Sequence, residues 1–404
     1  MTFEPTAGQQ PVQQQYLQPT AQPVKPVQPV QPVWTTPVRA PGAGAVALAT
    51  SGIIVAGLAL LIVLVYLSTF FGAGSMLFCL FLALIPLTMV LLAVRWIDRW
   101  DPEPRPARWF AFLWGAGVSI VTALIFDLGV QLTIMASGGA LTGNDFVASV
   151  IQAPIVEEGA KGFGILLLFW ATRKHFDGPV DGVVYAAIIA AGFAFSENIQ
   201  YFGVAMIDGG FESLGVTFLV RGVLSPFAHV MFTICTGFAL GVAARRTGSV
   251  GAIGYFVLGL VPAIVLHAVW NGAFFVFVAD SSLVIYYFIV QVPLFIGAIL
   301  VVIFLRRQEA KITVLRLGEY AAAGWFTPGE VAMLATRAGR RKARIWAATQ
   351  PRNKKVAMRR FITDATRLAF ARQRMLIGKA DLVDCADETQ LLNLLIADRA
   401  ELWA

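Results

Sequence analysis

Charged residues are scarce in this chain. They make up 14% of its 404 residues, whereas hydrophobic residues make up 57%. Soluble globular domains average about 25% charged residues. This deficit excludes an ordinary soluble protein and predicts an all-α, polytopic bundle of membrane-spanning helices.

Cysteine is also scarce. Cys79, Cys235 and Cys385 form no CxxC pair and have no metal-knuckle spacing. We therefore expect neither a disulfide framework nor a thiolate zinc site.

The composition divides the chain into three parts. Residues 1–44 are rich in Gln and Pro, which predicts a disordered arm that adds nothing to a hydrophobic core. Residues 45–305 form the predicted transmembrane domain, and residues 306–404 a basic, mainly helical tail. The apolar runs predict eight transmembrane helices, over 45–67, 76–94, 107–136, 146–170, 183–206, 216–244, 250–278 and 283–305.

Lys and Arg are missing from every second loop. The loops at 68–75, 137–145, 208–215 and 279–282 contain neither, whereas Arg95, Arg173, Arg245 and Arg306 mark the alternate connections. By the positive-inside rule, this alternation predicts that both termini are cytoplasmic. We expect a multi-pass protein of the cell (plasma) membrane.

The tail carries the excess positive charge, with 19 Lys and Arg against 10 Asp and Glu from Arg306 onward. Its basic cluster begins at Arg340 and extends to Arg360. Anionic headgroups would lie beside it, each basic residue near them contributing about 1 kcal/mol, so we expect lipid association or self-packing rather than nucleic-acid binding. Thr327, followed by Pro328 and by Glu330, is typical of a helix N-cap.

An acidic pair interrupts the fourth apolar run. Glu157 and Glu158 lie near the middle of residues 146–170, where a charge costs at least about 2.5 kcal/mol. Lys161 is an i,i+4 neighbour of Glu157 and is predicted to pair with it. Glu158 then needs a partner from another helix.

Three other predicted helices supply candidates for that partner. At 1.5 Å per residue, Glu158, Glu197, His229 and His267 fall within about 6 Å of one depth, in the outer half of the bilayer. Each also has a purely structural interpretation, as a packed histidine or an interhelical hydrogen bond. By the same interpretation Asn271 pairs with a backbone carbonyl, and Asp127, Gln131 and Arg221 contribute to a structural ion pair.

Prolines lie close to these residues in sequence. Pro154 precedes Glu157, Pro226 precedes His229 and Pro262 precedes His267. Proline interrupts helical hydrogen bonding, and irregular backbone at membrane depth is tolerated where it lines a wet cavity. A cavity that holds water is what hydrolysis inside a membrane requires.

The polar set allows two hydrolytic mechanisms. Glu158, His229 and His267 could hold zinc and leave a position for water. Alternatively, no metal is needed and Glu158 acts as a general base, aided by Glu157, while His229, His267 and Asn271 orient water and stabilise the oxyanion. The candidate catalytic residues are Glu157, Glu158, Glu197, His229, His267 and Asn271; His175, in a basic loop, is assigned no role.

A proton- or cation-coupled transporter is the alternative from another class, because intramembrane Glu and His also build proton relays. Its sequence signature would be an internal repeat with matched interrupted helices. The sequence contains no such repeat, and the polar set is confined to predicted helices four to seven.

Several motifs in order resemble those of the PrsW family of intramembrane proteases. They are Glu157-Glu158-x-x-Lys161, Asp181-Gly182-Val183-Val184-Tyr185, Glu197-Asn198-x-x-Tyr201, His229 and His267-x-x-x-Asn271, preceded by the entry segment Asp98-Arg99-Trp100-Asp101-Pro102-Glu103-Pro104. That family is distantly related to the CAAX prenyl endopeptidases and Abi proteins. The related branch has Phe-x-x-x-His where this chain has Glu197, so prenylated substrates are not expected.

The resemblance implies a helical membrane bundle that hydrolyses peptide bonds of membrane-spanning proteins. It also implies a substrate class, because members of the family are associated with first-site cleavage of anti-sigma factors. The outer-leaflet depth of the polar set fits cleavage on the extracytoplasmic side. The resemblance spans residues 95–305 and implies nothing about the arm or the tail.

Overall fold

The computed structural model describes residues 43–138, 140–173, 176–276, 282–376 and 382–403. The predicted disordered arm, except for its last two residues, and His175 lie outside these ranges. Within them all the regular secondary structure is helical, as predicted. The α-helices are α1 Ala43–Phe71, α2 Ala73–Ile97, α3 Arg105–Leu113, α4 Ile120–Ala136, α5 Ala153–Ala171, α6 Pro179–Phe218, α7 Ala228–Arg246, α8 Ala252–Val276, α9 Ser282–Tyr286, α10 Val292–Ala322, α11 Pro328–Ala335, α12 Arg337–Ala348, α13 Arg352–Arg374 and α14 Leu382–Trp403.

Six helical stretches among the described residues are long and apolar enough to cross a membrane. The chain is therefore a multi-pass membrane protein, but the predicted count of eight spans is not confirmed. One of the six stretches, Pro179–Arg246, is 68 residues long, several times the roughly 20 residues that a crossing needs. The others are Val46–Phe71, Ala73–Ile97, Arg105–Ala136, Ala252–Val276 and Val284–Ala322.

The 68-residue stretch contains two antiparallel helices, α6 and α7. Gly182 near the start of α6 lies against Gly237 of α7, whereas Glu197, further along α6, contacts His229 at the start of α7. Between Glu197 and His229 the chain is interrupted at Gly210 of α6, whose φ is 64°. Only glycine adopts this conformation without strain. The predicted loop at 208–215 is thus a kink within α6.

Close packing of α6 on α7 depends on glycine. A Cβ atom on Gly237 would lie 2.1 Å from the carbonyl oxygen of Gly182. Gly237→Ala should therefore push the helices apart and destabilise the protein by about 1–3 kcal/mol, measured as a lower midpoint of thermal unfolding in detergent. Gly254→Ala in α8 is the matched control, because nothing lies within 4 Å of its Cβ position. An equal effect of both substitutions would contradict this role of the glycine contact.

Proline and π-helical turns break the regular hydrogen bonding of the bundle. A π-helical turn over Val147–Gln152 runs into α5, where Pro154 occupies the first turn. Another, over Leu219–Leu224, ends at Ser225, and Pro226 separates it from α7. The predicted helix over 216–244 is therefore broken in the middle. Further π-helical turns occupy Trp114–Ser119 and Tyr287–Gln291.

The connections that carry arginine meet at one end of the bundle, here called the arginine end. The Arg173 guanidinium donates to the carbonyl oxygen of Ala244 at 3.0 Å, and Arg245 donates to that of Asp177 at 3.0 Å. The hydroxyl of Tyr185 donates to Glu103 at 2.6 Å in the same region. The connections that carry arginine in the sequence therefore lie together at one end of the structure.

The basic tail packs on the arginine end. Helix α10 continues past the predicted boundary at 306 as far as Ala322, and Trp100 donates to Thr313 within it at 3.0 Å. Arg340 is buried, donates to the carbonyl oxygen of Trp100 at 2.9 Å and stacks on its ring. Burial lowers the pKa of Arg340 to about 9. Arg340 is therefore not part of an exposed basic surface, and this contact is a case of the self-packing that the sequence analysis named beside lipid association.

The N-cap predicted in the tail is confirmed. The Thr327 hydroxyl accepts from the Glu330 amide at 3.1 Å, and the Glu330 carboxylate accepts from the Thr327 amide at 2.8 Å. This reciprocal pair satisfies two amide groups that the first turn of α11 would otherwise leave unbonded.

Candidate active site

Four helices bring the predicted polar residues together inside the bundle. Helix α5 supplies Glu157, Glu158 and Lys161, while Glu197 lies on α6, His229 on α7 and His267 on α8. All six are buried or nearly buried. Residues from helices that are distant in sequence thus meet at one depth, as the counting of helical rise predicted.

Glu158 is completely buried, and both of its carboxylate oxygens are bonded to neighbouring side chains. Its Oε1 lies 2.6 Å from Lys161 Nζ and 3.1 Å from His267 Nδ1, and its Oε2 accepts from the Thr233 hydroxyl at 2.8 Å. The sequence predicted that Lys161 would pair with Glu157, but that distance is longer, 3.6 Å. The lysine therefore neutralises mainly Glu158, and His267 is the partner that Glu158 needed from another helix.

Glu197 and His229 form a second carboxylate–histidine pair. Glu197 Oε2 lies 2.7 Å from His229 Nε2 and also pairs with Arg221, which donates to Asn198 at 3.0 Å and stacks on the Tyr201 ring. Arg221 thus compensates the charge of Glu197. The predicted ion pair of Arg221 with Asp127 is wrong, since Asp127 accepts from Gln131 on its own helix at 2.8 Å.

Aromatic rings enclose these polar groups. Lys161 Nζ lies 4.0 Å from the centroid of the Phe193 ring, and Phe232 stacks on His267 with centroids 4.9 Å apart. The two histidine rings are themselves perpendicular, with centroids 5.2 Å apart. A dry, aromatic surrounding strengthens the electrostatic interactions between the charged groups.

Three residues at this point could hold a metal ion. One ligand atom from each of Glu157, His229 and His267 lies within 4.8 Å of the others. Glu157 Oε2 is buried and has no hydrogen-bond partner among the described residues. The ligand set predicted from the sequence contained Glu158 in place of Glu157.

The bonding of the two histidines fits a metal site. Glu158 faces Nδ1 of His267 and Glu197 faces Nε2 of His229. A carboxylate accepts a hydrogen bond, so each of these nitrogens carries a proton and the other ring nitrogen keeps its lone pair. Histidines that bind zinc are held by carboxylates in this way. The donor set therefore fits a divalent cation held by one carboxylate and two imidazoles.

A cavity of about 390 Å³ adjoins this group. It lies between α4, α5, α6 and α8, and Glu157, Glu197, Tyr201 and Asn271 are on its wall. Glu158 and the two histidines are not among its lining residues. Glu157 and Glu197 are therefore the carboxylates of this group that face the cavity.

Asn271 matches its structural interpretation, because its Nδ2 donates to the carbonyl oxygen of Ser149 at 2.8 Å. Sequence reasoning missed one other residue with a direct contact, Thr233, which donates to Glu158. Thr233 follows His229 by four positions, so helical periodicity places both on one face of α7 and could have indicated it. Arg221 was noticed but assigned to the wrong partner, since nothing in a sequence states which of two carboxylates a side chain will reach.

A bundle of membrane-length helices with a buried Glu–His–His group beside a cavity has the architecture of an intramembrane metalloprotease. The chain matches the PrsW family intramembrane metalloproteases over residues 103–298. It is 30% identical over 189 residues to Protease PrsW of Bacillus subtilis (strain 168), a match that covers 47% of this chain and 78% of that protein. The chain belongs to the PrsW family.

A second relative gives the same result. Protease PrsW of Clostridioides difficile (strain 630) is 29% identical over 190 residues, which is 47% of this chain and 76% of that protein. No solved structure matches the chain. The resemblance seen in the motifs is thus confirmed, the protein is an intramembrane protease, and the transporter alternative is not favoured. The arm and the tail both lie outside residues 103–298, which the family model matches.

Proposed function

We propose that this protein cleaves a membrane-anchored anti-sigma factor at the extracytoplasmic side of the plasma membrane, as the first cut of a regulatory cascade, with both of its own termini in the cytoplasm. The observation that carries this proposal is the buried Glu157 oxygen, which has no hydrogen-bond partner among the described residues, beside two carboxylate-held histidines and next to the cavity. The clustering of arginines at the opposite end supports the orientation.

Glu157, His229 and His267 are the residues that would hold the metal. When zinc occupies a group of this kind, it supplies Lewis-acid chemistry, polarising a carbonyl group and making water more acidic. Glu158 and Glu197 act on the histidines: each holds one ring nitrogen as a proton donor, which fixes the orientation of the ring. The other nitrogen of His229, Nδ1, lies 3.4 Å from Lys161 Nζ, so a metal held there would have to replace this contact. Glu158 is in this role a positioning residue.

Glu197 is also placed to move a proton. Its Oε2 is used by His229 and Arg221, whereas its Oε1 has no hydrogen-bond partner among the described residues, and the side chain lines the cavity. Water attacks the scissile carbonyl carbon, a C–O bond forms and Glu197 takes the proton. The C–N bond then breaks and the same proton passes to the leaving amine. Asn271, on the cavity wall, is placed to contact the peptide.

The substrate and the side of cleavage are tested together by mapping new N-terminal peptides in membranes of the source organism. Cells with wild-type protein are compared with cells that carry Glu157→Gln at matched expression. We expect peptides that start near the extracytoplasmic end of a single-pass protein and vanish in the variant. Lost peptides that start on the cytoplasmic side would refute the proposed side of cleavage, and identical peptide sets under envelope stress would refute the proposed function.

A further inference from the structure

A second pocket lies on another side of the bundle, away from the residues described above. This lateral pocket has a volume of about 360 Å³ and is formed by α2, α6, α7 and α10 with the segment before α7. All its lining residues are apolar, including Trp96 at the end of α2 and Val302 of α10. In a membrane-spanning protein, hydrocarbon can fill such a space without leaving a polar group unsatisfied.

An unusual arginine lies beside this pocket. Arg306 follows Val302 by about one helical turn, and its guanidinium stacks on Trp96 at 3.9 Å from the ring centroid. It is 5% exposed, yet its Nε and Nη1 have no hydrogen-bond partner among the described residues. A buried guanidinium without hydrogen-bond acceptors is costly. Arg306 therefore needs an acceptor that the described part of the protein does not supply.

The electrostatic surroundings indicate the charge of that partner. Arg99 and Arg337 are the other basic side chains whose charges act on Arg306. Glu309, one turn further along α10, is an acidic neighbour, but its buried Oε2 has no hydrogen-bond partner among the described residues and so does not bond Arg306. A cluster of three arginines to which no described carboxylate is bonded attracts an anion with several acceptor oxygens, such as a phosphate.

We propose that the lateral pocket and the arginine cluster Arg99, Arg306 and Arg337 form a binding site for one anionic phospholipid. An acyl chain occupies the pocket, and the phosphate accepts hydrogen bonds from Arg306. This position, at the arginine end of the bundle, is where the headgroups of one leaflet would lie. Phe227 and Met231, which line the pocket, flank His229 on α7, so a bound lipid also supports the helix that carries this histidine.

The test uses the full-length protein, purified in mild detergent and titrated with dioleoylphosphatidylglycerol or dioleoylphosphatidylcholine, with bound lipid counted by native mass spectrometry. We expect one phosphatidylglycerol per chain, retained in preference to phosphatidylcholine. Arg306→Gln should weaken retention about tenfold, the effect of removing a hydrogen bond to a charged group. The matched control is Arg307→Gln, which removes the same charge from an exposed neighbouring position and should leave retention unchanged.

Two further arms distinguish a phospholipid site from a site for free phosphate. Ala298→Phe fills the pocket without altering the arginines and should also release the lipid; it keeps the test valid if Arg306→Gln does not fold. Inorganic phosphate should not raise the thermal unfolding midpoint as phosphatidylglycerol does. Equal retention by Arg306→Gln and Arg307→Gln, equal binding of both lipids, or equal stabilisation by phosphate would overturn the proposal.

Discussion

Glu157→Gln is expected to reduce cleavage of a membrane-anchored substrate by about a thousandfold, within the range for loss of an acid–base or metal-binding group. Glu157 lines the cavity, and its buried Oε2 has no hydrogen-bond partner among the described residues. An amide at this position keeps the shape of the side chain but removes its charge. The rate is measured in proteoliposomes, by the appearance of the cut fragment.

Glu158→Gln is the informative comparison for this experiment. Glu158 is wholly buried, away from the cavity, and orients His267, so its loss should cost about 10- to 100-fold, as for other residues that position metal ligands. Zinc should remain bound in Glu158→Gln and be lost in Glu157→Gln. Glu212→Gln, an exposed position, should behave as wild type. Zinc lost only from Glu158→Gln would return the ligand role to Glu158, as the sequence first suggested.

Removal of metal is expected to abolish cleavage, and addition of zinc to restore it. Glu157, His229 and His267 provide one carboxylate and two imidazoles, a donor set that suits zinc far better than magnesium. The cleavage rate should fall by at least about a hundredfold in protein stripped by a chelator. Magnesium should not restore it.

Zinc binding can also be measured independently of activity. A ligand that binds only the folded state at about 100 times its dissociation constant stabilises the protein by about 2.7 kcal/mol, so zinc should raise the unfolding midpoint of the stripped wild-type protein. His267→Ala should show neither this shift nor recovery of activity. Full cleavage by stripped protein, with no thermal response to zinc, would instead support the metal-free mechanism.

The tertiary structure differs most from the sequence-based prediction where either of two adjacent residues could fill one role. Glu157 and Glu158 are neighbours, and one residue along a helix rotates the side chain by about 100°. Helical periodicity therefore placed them on different faces, but it could not state which face meets α8. Packing of α5 against α7 and α8 decided this, since His267 and Thr233 both bond Glu158.

The same reason explains two other contacts that the sequence did not specify. Arg221 pairs with Glu197 rather than Asp127, because the π-helical turn before Pro226 brings it to α6. Arg340 has the charge of a surface residue but is buried against Trp100, 240 positions earlier in the chain. Such contacts depend on the relative placement of distant segments, on which local sequence patterns carry no information.

The sequence by itself determined the class of the protein, its helical membrane fold, the alternation of charged connections and which polar residues from four helices meet. These features follow from composition, hydrophobic length and the fixed rise of a helix, which act locally along the chain. Only the tertiary structure decided which carboxylate faces the cavity, which one holds His267, and where the tail packs. Those outcomes depend on helix rotation and close approach, set by contacts such as Gly182 on Gly237.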